Sequence, residues 1–154
     1  MNRHTFLRAA CLLALVPAAR LAIASDRASA PEAEALVKKA AAYIKANGAE
    51  KAYDEFTNGK GFKDRDLYIF VYDLSGKCLA HGANAKLVGK DLIGLKDPDG
   101  KPLVKMLIDV AKDKGQGWTE AVKFRNPVTE KIQTRVNYIQ RVGETAVGSG
   151  VYTD

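Results

Sequence analysis

His81 and Cys78 are the only histidine and the only cysteine past residue 24, and so the whole supply of imidazole and thiol in that part of the chain. They stand three residues apart in a stretch that reads as one strand, where alternation sends their side chains to opposite faces. No zinc-type spacing surrounds them, and there is no Cys-x-x-Cys-His haem motif. A Ser-His-acid triad would have to run through His81, with Ser25, Ser29, Ser75 or Ser149 as nucleophile. None of these serines sits in a nucleophile-elbow pattern. The chain therefore reads as a non-enzyme with no metal and no cofactor. Cys78 reads as a buried, inert thiol. Two readings of His81 stay open: a hydrogen-bonded histidine at a strand end, or a contact to a small ligand.

Arg135 is the natural clamp for a carboxylate, because a guanidinium can grip both oxygens at once. It shares parity with Gln133, Asn137 and Arg141, a polar face that is either solvated surface or pocket lining. Tyr138 shares parity with Ile132, Val136 and Val142, a core-like face. By strand alternation the two enter one pocket only if a bulge intervenes, and both are kept as candidates. The expectation for Arg135 is a solvent-accessible strand position. Tyr68, Phe70 and Tyr72 lie on one face of another strand, as core or as ligand wall. Trp118, the single tryptophan, either walls a pocket or caps a sheet edge. Gly148 and Gly150 share a face, where missing side chains allow close approach.

The start of the chain speaks to compartment. Met1–Arg8 carries Arg3 and Arg8 and no acid, Ala9–Val16 is apolar, and Ala22-Ile23-Ala24 precedes Ser25. This basic, apolar, small-residue order is that of a secretory signal cut after Ala24. The apolar stretch falls far short of the roughly 20 residues a membrane span needs. Asn2–Arg8 resembles a twin-arginine signal with His4 in place of the second arginine, which leaves the export route open. The expected organisation is a signal peptide over 1–24 and one domain over 25–154, periplasmic or secreted, with no membrane span in the mature chain. Removing residues 1–24 takes three of the 24 basic residues and none of the 18 acids, so the mature net charge is 21 minus 18, or +3. That charge is scattered in small groups of both signs, with no basic stripe of the kind nucleic-acid binding requires.

Elements that would position these residues follow from periodicity. Ser29-Ala30-Pro31-Glu32 reads as a capped helix start, and Ala33, Leu36, Ala40, Tyr43 and Ile44 recur at helical spacing until Asn47-Gly48. A second helical piece spans Ala49–Phe56. Leu67–Tyr72 is apolar on both parities, as a strand buried on both faces would be. A turn at Asp73–Gly76 leads to a strand Lys77–His81. A long loop, Gly82–Gly100, precedes a helix opened by Pro102. Strands over Trp118–Phe124, Ile132–Val142 and Ala146–Tyr152 complete the chain, joined by short turns that favour antiparallel pairing. The result is an α+β class with a five-stranded antiparallel sheet, a long N-terminal helix and one inserted helix.

Ordered blocks carry a family resemblance. Leu67–Asp73 (LYIFVYD), Leu79–His81 (LAH), Lys86–Asp91 (KLVGKD) and Lys96–Pro102 (KDPDGKP) resemble successive blocks of the single Cache domain, type 2. Gly115–Trp118 (GQGW), Asn126-Pro127, Tyr138 and Val147–Tyr152 (VGSGVY) continue the match in order, over about residues 32–152. Gly82 stands where the family often has Pro, and Arg135 where it often has Lys. The resemblance implies a PAS-like sensor fold, with the long helix behind the sheet and a ligand pocket on its other face. It implies an exported small-molecule-binding sensory module for a short carboxylic acid, held by Arg135 with His81 between the sheet and loop 82–100. Tyr68, Phe70, Trp118 and Tyr138 are the further candidate contacts. No output domain follows the last strand, so the alternative is a ligand-free module that docks on a membrane receptor or sensor histidine kinase.

Overall fold

Ser29 starts the first helix much as its spacing to Glu32 requires: its backbone N–H donates to the Glu32 carboxylate at 2.7 Å, and Pro31 sits in the first turn. The computed structural model describes residues 26–154, so the expected signal peptide falls outside the described residues. Helix α1 (Ala30–Asn47) buries Ala33, Val37, Ala40, Ala41 and Ile44 and stops at Gly48, whose φ of 85° suits a residue without a Cβ. Helix α2 (Ala49–Asn58) buries Ala52 and Phe56. A small ribbon of β1 (Lys63–Asp64) and β2 (Leu67–Tyr68) follows. The main sheet is built from β3 (Phe70–Asp73), β4 (Cys78–His81), β5 (Gln116–Trp118), β6 (Val122–Arg125), β7 (Ile132–Val142) and β8 (Thr145–Tyr152). Between β4 and β5 lie a single 3-10 turn (Ala85–Leu87) and helix α3 (Leu103–Asp113). Among the described residues no helix is long and apolar enough to cross a membrane.

The sheet runs β4-β3-β8-β7, with β5 and β6 both pairing to the far side of β7, and every pairing is antiparallel. It has six strands rather than the five expected, because the segment read as one strand over Trp118–Phe124 is interrupted. Trp118 faces Tyr138 and Val122 faces Arg135, so four steps on one side meet three on the other. The extra residue is a bulge, and it reverses the side-chain parity between Trp118 and Val122. Thr119 fills the gap: its N–H donates to the Asn137 carbonyl at 2.9 Å, and its hydroxyl accepts from the Asn137 N–H at 3.1 Å.

A second bulge corrects another expectation. Phe70 faces His81 but Tyr72 faces Cys78, so one residue of β4 is extra. Cys78 and His81 therefore share a face instead of opposing each other.

The sheet separates two cores. On one side α1 and α2 cover Ile69, Val71, Ala80, Tyr138 and Val147. On the other, α3 covers Tyr68, Phe70, Tyr72, Cys78 and Ile139. Gly148 on β8 lies under the second core. A Cβ there would come within 2.5 Å of the Phe70 ring and 2.6 Å of Ile139. Rigid packed neighbours cannot yield cheaply, so Gly148→Ala is expected to destabilise the domain by about 1–3 kcal/mol in chemical denaturation. A change under a few tenths would show that the Phe70 ring is loosely held.

Candidate functional site

Strand alternation puts Arg135 on the α3 face of β7, beneath the long loop. It is 3% exposed, which corrects the expectation of an accessible position. Its polar neighbours Gln133 and Asn137 are buried as well, so this face of β7 is covered rather than solvated. The guanidinium lies among four aromatic rings, Tyr68, Phe70, Phe124 and Tyr152, with centroids 4.9–5.5 Å from Cζ. Nη1 donates to the Tyr68 hydroxyl at 2.6 Å. Nε and Nη2 are buried without a hydrogen-bond partner. Gly150 makes this seat possible, because a Cβ there would lie 2.2 Å from Nε. A guanidinium stays charged in proteins, and a buried charge with idle donors is costly until an anion meets it.

His81 reaches the same place from β4. It is 4% exposed, with its ring 5.1 Å from that of Tyr68. Nδ1 accepts a 3.0 Å hydrogen bond from the Asn84 N–H, so the proton of the neutral ring sits on Nε2, a donor. Burial first, and the Arg135 charge second, bring its pKa down to about 4. The ring is neutral at physiological pH, and Arg135 is the cation of the site.

Between these groups and α3 lies a cavity of about 40 Å³, lined by Arg135, His81, Phe70 and Tyr72 from the sheet and closed by aliphatic side chains. One water needs roughly 10–15 Å³ of such space, so the cavity holds a few water-sized groups. Of the sequence candidates, Phe70, His81 and Arg135 meet at this cavity, and Tyr68 reaches it through its bond to Nη1. Tyr138 and Trp118 do not. They pack on each other, 5.4 Å between ring centroids, on the α1 face of the sheet. For Tyr138 the reason is plain alternation, since β7 pairs with β8 in unbroken register. For Trp118 it is the bulge before Val122.

Sequence reasoning passed over Phe124, Asn137 and Leu87, which also line the cavity. Asn137 shares parity with Arg135 and was findable on that ground. Phe124 needed the bulge to be seen, and Leu87 the path of the loop.

The depressed His81 pKa has a stability consequence. Between pH 6.5 and about 4 the unfolded chain binds the proton and the folded one does not, so stability must fall as pH drops through that window. The loss by pH 4 is on the order of 3 kcal/mol. His81→Gln should flatten the melting temperature between pH 6.5 and 4.5 relative to wild type. An unchanged slope would mean that the ring is accessible to protons in the folded state.

Comparison with known proteins agrees with this architecture. The single Cache domain 2 profile matches residues 14–154. The methyl-accepting chemotaxis protein McpP of Pseudomonas putida is 33% identical over 95 residues, which are 59% of this chain and 17% of that protein. The sensor histidine kinase MctS of Rhizobium johnstonii is 32% identical over 92 residues, 58% of this chain and 20% of that protein. The chain thus spans about a fifth of the length of these relatives. A methyl-accepting chemotaxis protein from Vibrio parahaemolyticus superposes with a TM-score of 0.69 at 24% identity, over 80% of this chain and 88% of that one. A Cache chemosensory domain solved for its recognition of carboxylic acids superposes at 0.67, also at 24% identity, over 80% and 92%. At that identity the superpositions speak to fold, which here is the six-stranded sheet between α1 and α3. By sequence profile and by fold together, the chain belongs to the single Cache domain 2 family.

Proposed function

We propose that this chain is an exported sensory module that binds a short carboxylic acid in the cavity at Arg135. The observation that carries the reading is the buried guanidinium whose Nε and Nη2 have no protein partner. A short acid has little apolar area, so its affinity must come from a desolvated charge pair and hydrogen bonds. Arg135 supplies two N–H groups and His81 a third through Nε2. The aromatic walls and α3 exclude water and strengthen each bond. The carboxylic acid ligand of a structurally similar Cache domain supports the same ligand class.

A second reading, a ligand-free module that docks on a membrane receptor or sensor histidine kinase, draws on Val88, Ile93 and Leu95. These apolar side chains are exposed by 37–41% on the loop that roofs the cavity. Kinship to a chemoreceptor and to a sensor kinase suits either reading.

Calorimetry with acetate, propionate, lactate and pyruvate separates the two. At least one acid should bind wild type, and Arg135→Ala should weaken it by about 100-fold or more, since two charge-assisted hydrogen bonds at roughly 1.5–3 kcal/mol each are lost. The variant should fold, because removing an unpaired buried charge breaks no ion pair. Unchanged affinity would take Arg135 out of the site. No binding by any acid would favour the docking module.

Export carries its own test. The mature protein should begin at Ser25, after Ala22-Ile23-Ala24. Mass spectrometry of the exported form finding Met1 intact would overturn the proposed cleavage.

A further inference from the structure

The cavity at Arg135 is not the end of the concave surface. A second recess of about 210 Å³ adjoins it and reaches the exterior between exposed Ala83, Asn84, Arg125 and Pro127. Three side chains line both spaces: His81, Leu87 and Phe124. They form the partition between inner cavity and outer recess.

Two of the three are firmly held. His81 is buried, its N–H donating to the Thr57 hydroxyl at 3.2 Å and its Nδ1 accepting from Asn84. Phe124 stands on β6 with its ring 5.1 Å from the Arg135 guanidinium carbon. Leu87 differs. It ends the single 3-10 turn, is half-buried, and is held mainly through backbone: its N–H donates to the Asn84 carbonyl at 3.1 Å, and the Gly89 N–H donates to the Cys78 carbonyl at 2.8 Å. Leu87 packs only partly against the α3 core, and is thus the part of the partition that can be trimmed at least cost to the fold.

We propose that Leu87 sets the length of the ligand. The inference rests on the carboxylate reading above. An acid whose carboxylate meets Arg135 has its tail stopped at the Leu87 side chain, and an inner space of about 40 Å³ admits only a short one. With Leu87 trimmed, inner cavity and outer recess join. The tail then continues past His81, between the rings of Tyr68 and Phe124, toward Pro127. Those walls are apolar, and each methylene buried against them is worth about fourfold in affinity. Leu87 is a specificity residue in this scheme, contributing nothing to the grip on the carboxylate.

The test is calorimetry of the straight-chain series from acetate to hexanoate on wild type, Leu87→Ala, Leu87→Val, and Leu87→Ala combined with Ala83→Leu, which refills the recess. Wild type should prefer the shortest acids. Leu87→Ala should bind hexanoate at least about tenfold better than wild type does, from the four methylenes it carries beyond acetate less the cost of ordering them, with acetate nearly unchanged. Leu87→Val should shift the preference in the same direction by less, and serves if the alanine variant folds poorly. The added Ala83→Leu should reverse the gain. If the Leu87 variants bind acetate and keep the wild-type order of chain lengths, the partition is overturned while the carboxylate reading stands. A gain that survives Ala83→Leu also overturns it, because the tail then lies elsewhere. If no protein binds any acid of the series, the carboxylate reading fails and the length rule with it.

Discussion

A guanidinium buried without a carboxylate organises this domain. Arg135 sits buried on β7, one strand in from the edge of the sheet, where an unpaired charge is costly. What the fold offers it is modest: one hydroxyl at 2.6 Å and four ring faces, each contact worth roughly 0.5–2 kcal/mol. Those partners come from β2, β3, β6 and β8, so most of one sheet face is committed to seating a single side chain. Gly150 leaves room for it, and Tyr68 and Phe70, at alternate positions of β2 and β3, present their rings to it. Two donors remain idle. Buried donors left unmet in this way are a standing cost to the fold.

Alternation and its two violations decide which side chains share that face. On β7 the register is unbroken, so Arg135 and Asn137 go to one side and Tyr138 to the other. On the neighbouring edge, one extra residue between Trp118 and Val122 sends Trp118 to the α1 side while turning Val122 toward the cavity. On β4, one extra residue brings Cys78 round to the side of His81. The thiol is then sealed among aromatic side chains, and burial pushes its pKa up to about 11, so it stays a protonated packing group.

Legibility in the sequence divides along the same line. Helix α1, the β3–β4 hairpin, α3 and strands β7 and β8 were readable because capping, turn residues and hydrophobic period are local signals. Arg135, His81, Tyr68 and Phe70 were nameable because few residue types can grip a small anion or wall it in. The burial of Arg135 was not readable. Gln133, Arg135, Asn137 and Arg141 make the same polar stripe whether water or α3 lies above them, and only tertiary packing separates the first three from the exposed, ion-paired Arg141. Neither bulge was readable, since an inserted residue carries no signature of its own when Thr119 or Leu79 can occupy it. Both misplaced candidates, Trp118 and Tyr138, trace to parity: at a bulge for one, and along an unbroken strand for the other.

The roof of the cavity shows how a long loop can be a fixed wall. Loop 82–100 has little regular structure, yet it is pinned along its length. Asn84 donates to His81, Gly89 to the Cys78 carbonyl, and Leu92 to the Gly76 carbonyl, all by backbone N–H. At its far end the buried Asp97 carboxylate accepts from the backbone N–H groups of Asp99, Lys101 and Lys123 at 2.8–3.0 Å. Lys123 lies on β6 between Val122 and Phe124, both of which line the cavity, and Asp97 stands two residues from Leu95, which lines it from the loop. One carboxylate therefore fixes the spacing between two walls. His81 does the same at the other end, since its Nδ1 holds the loop while the residue itself lines the cavity. On its outer side the same loop exposes the apolar side chains of Val88, Ile93 and Leu95.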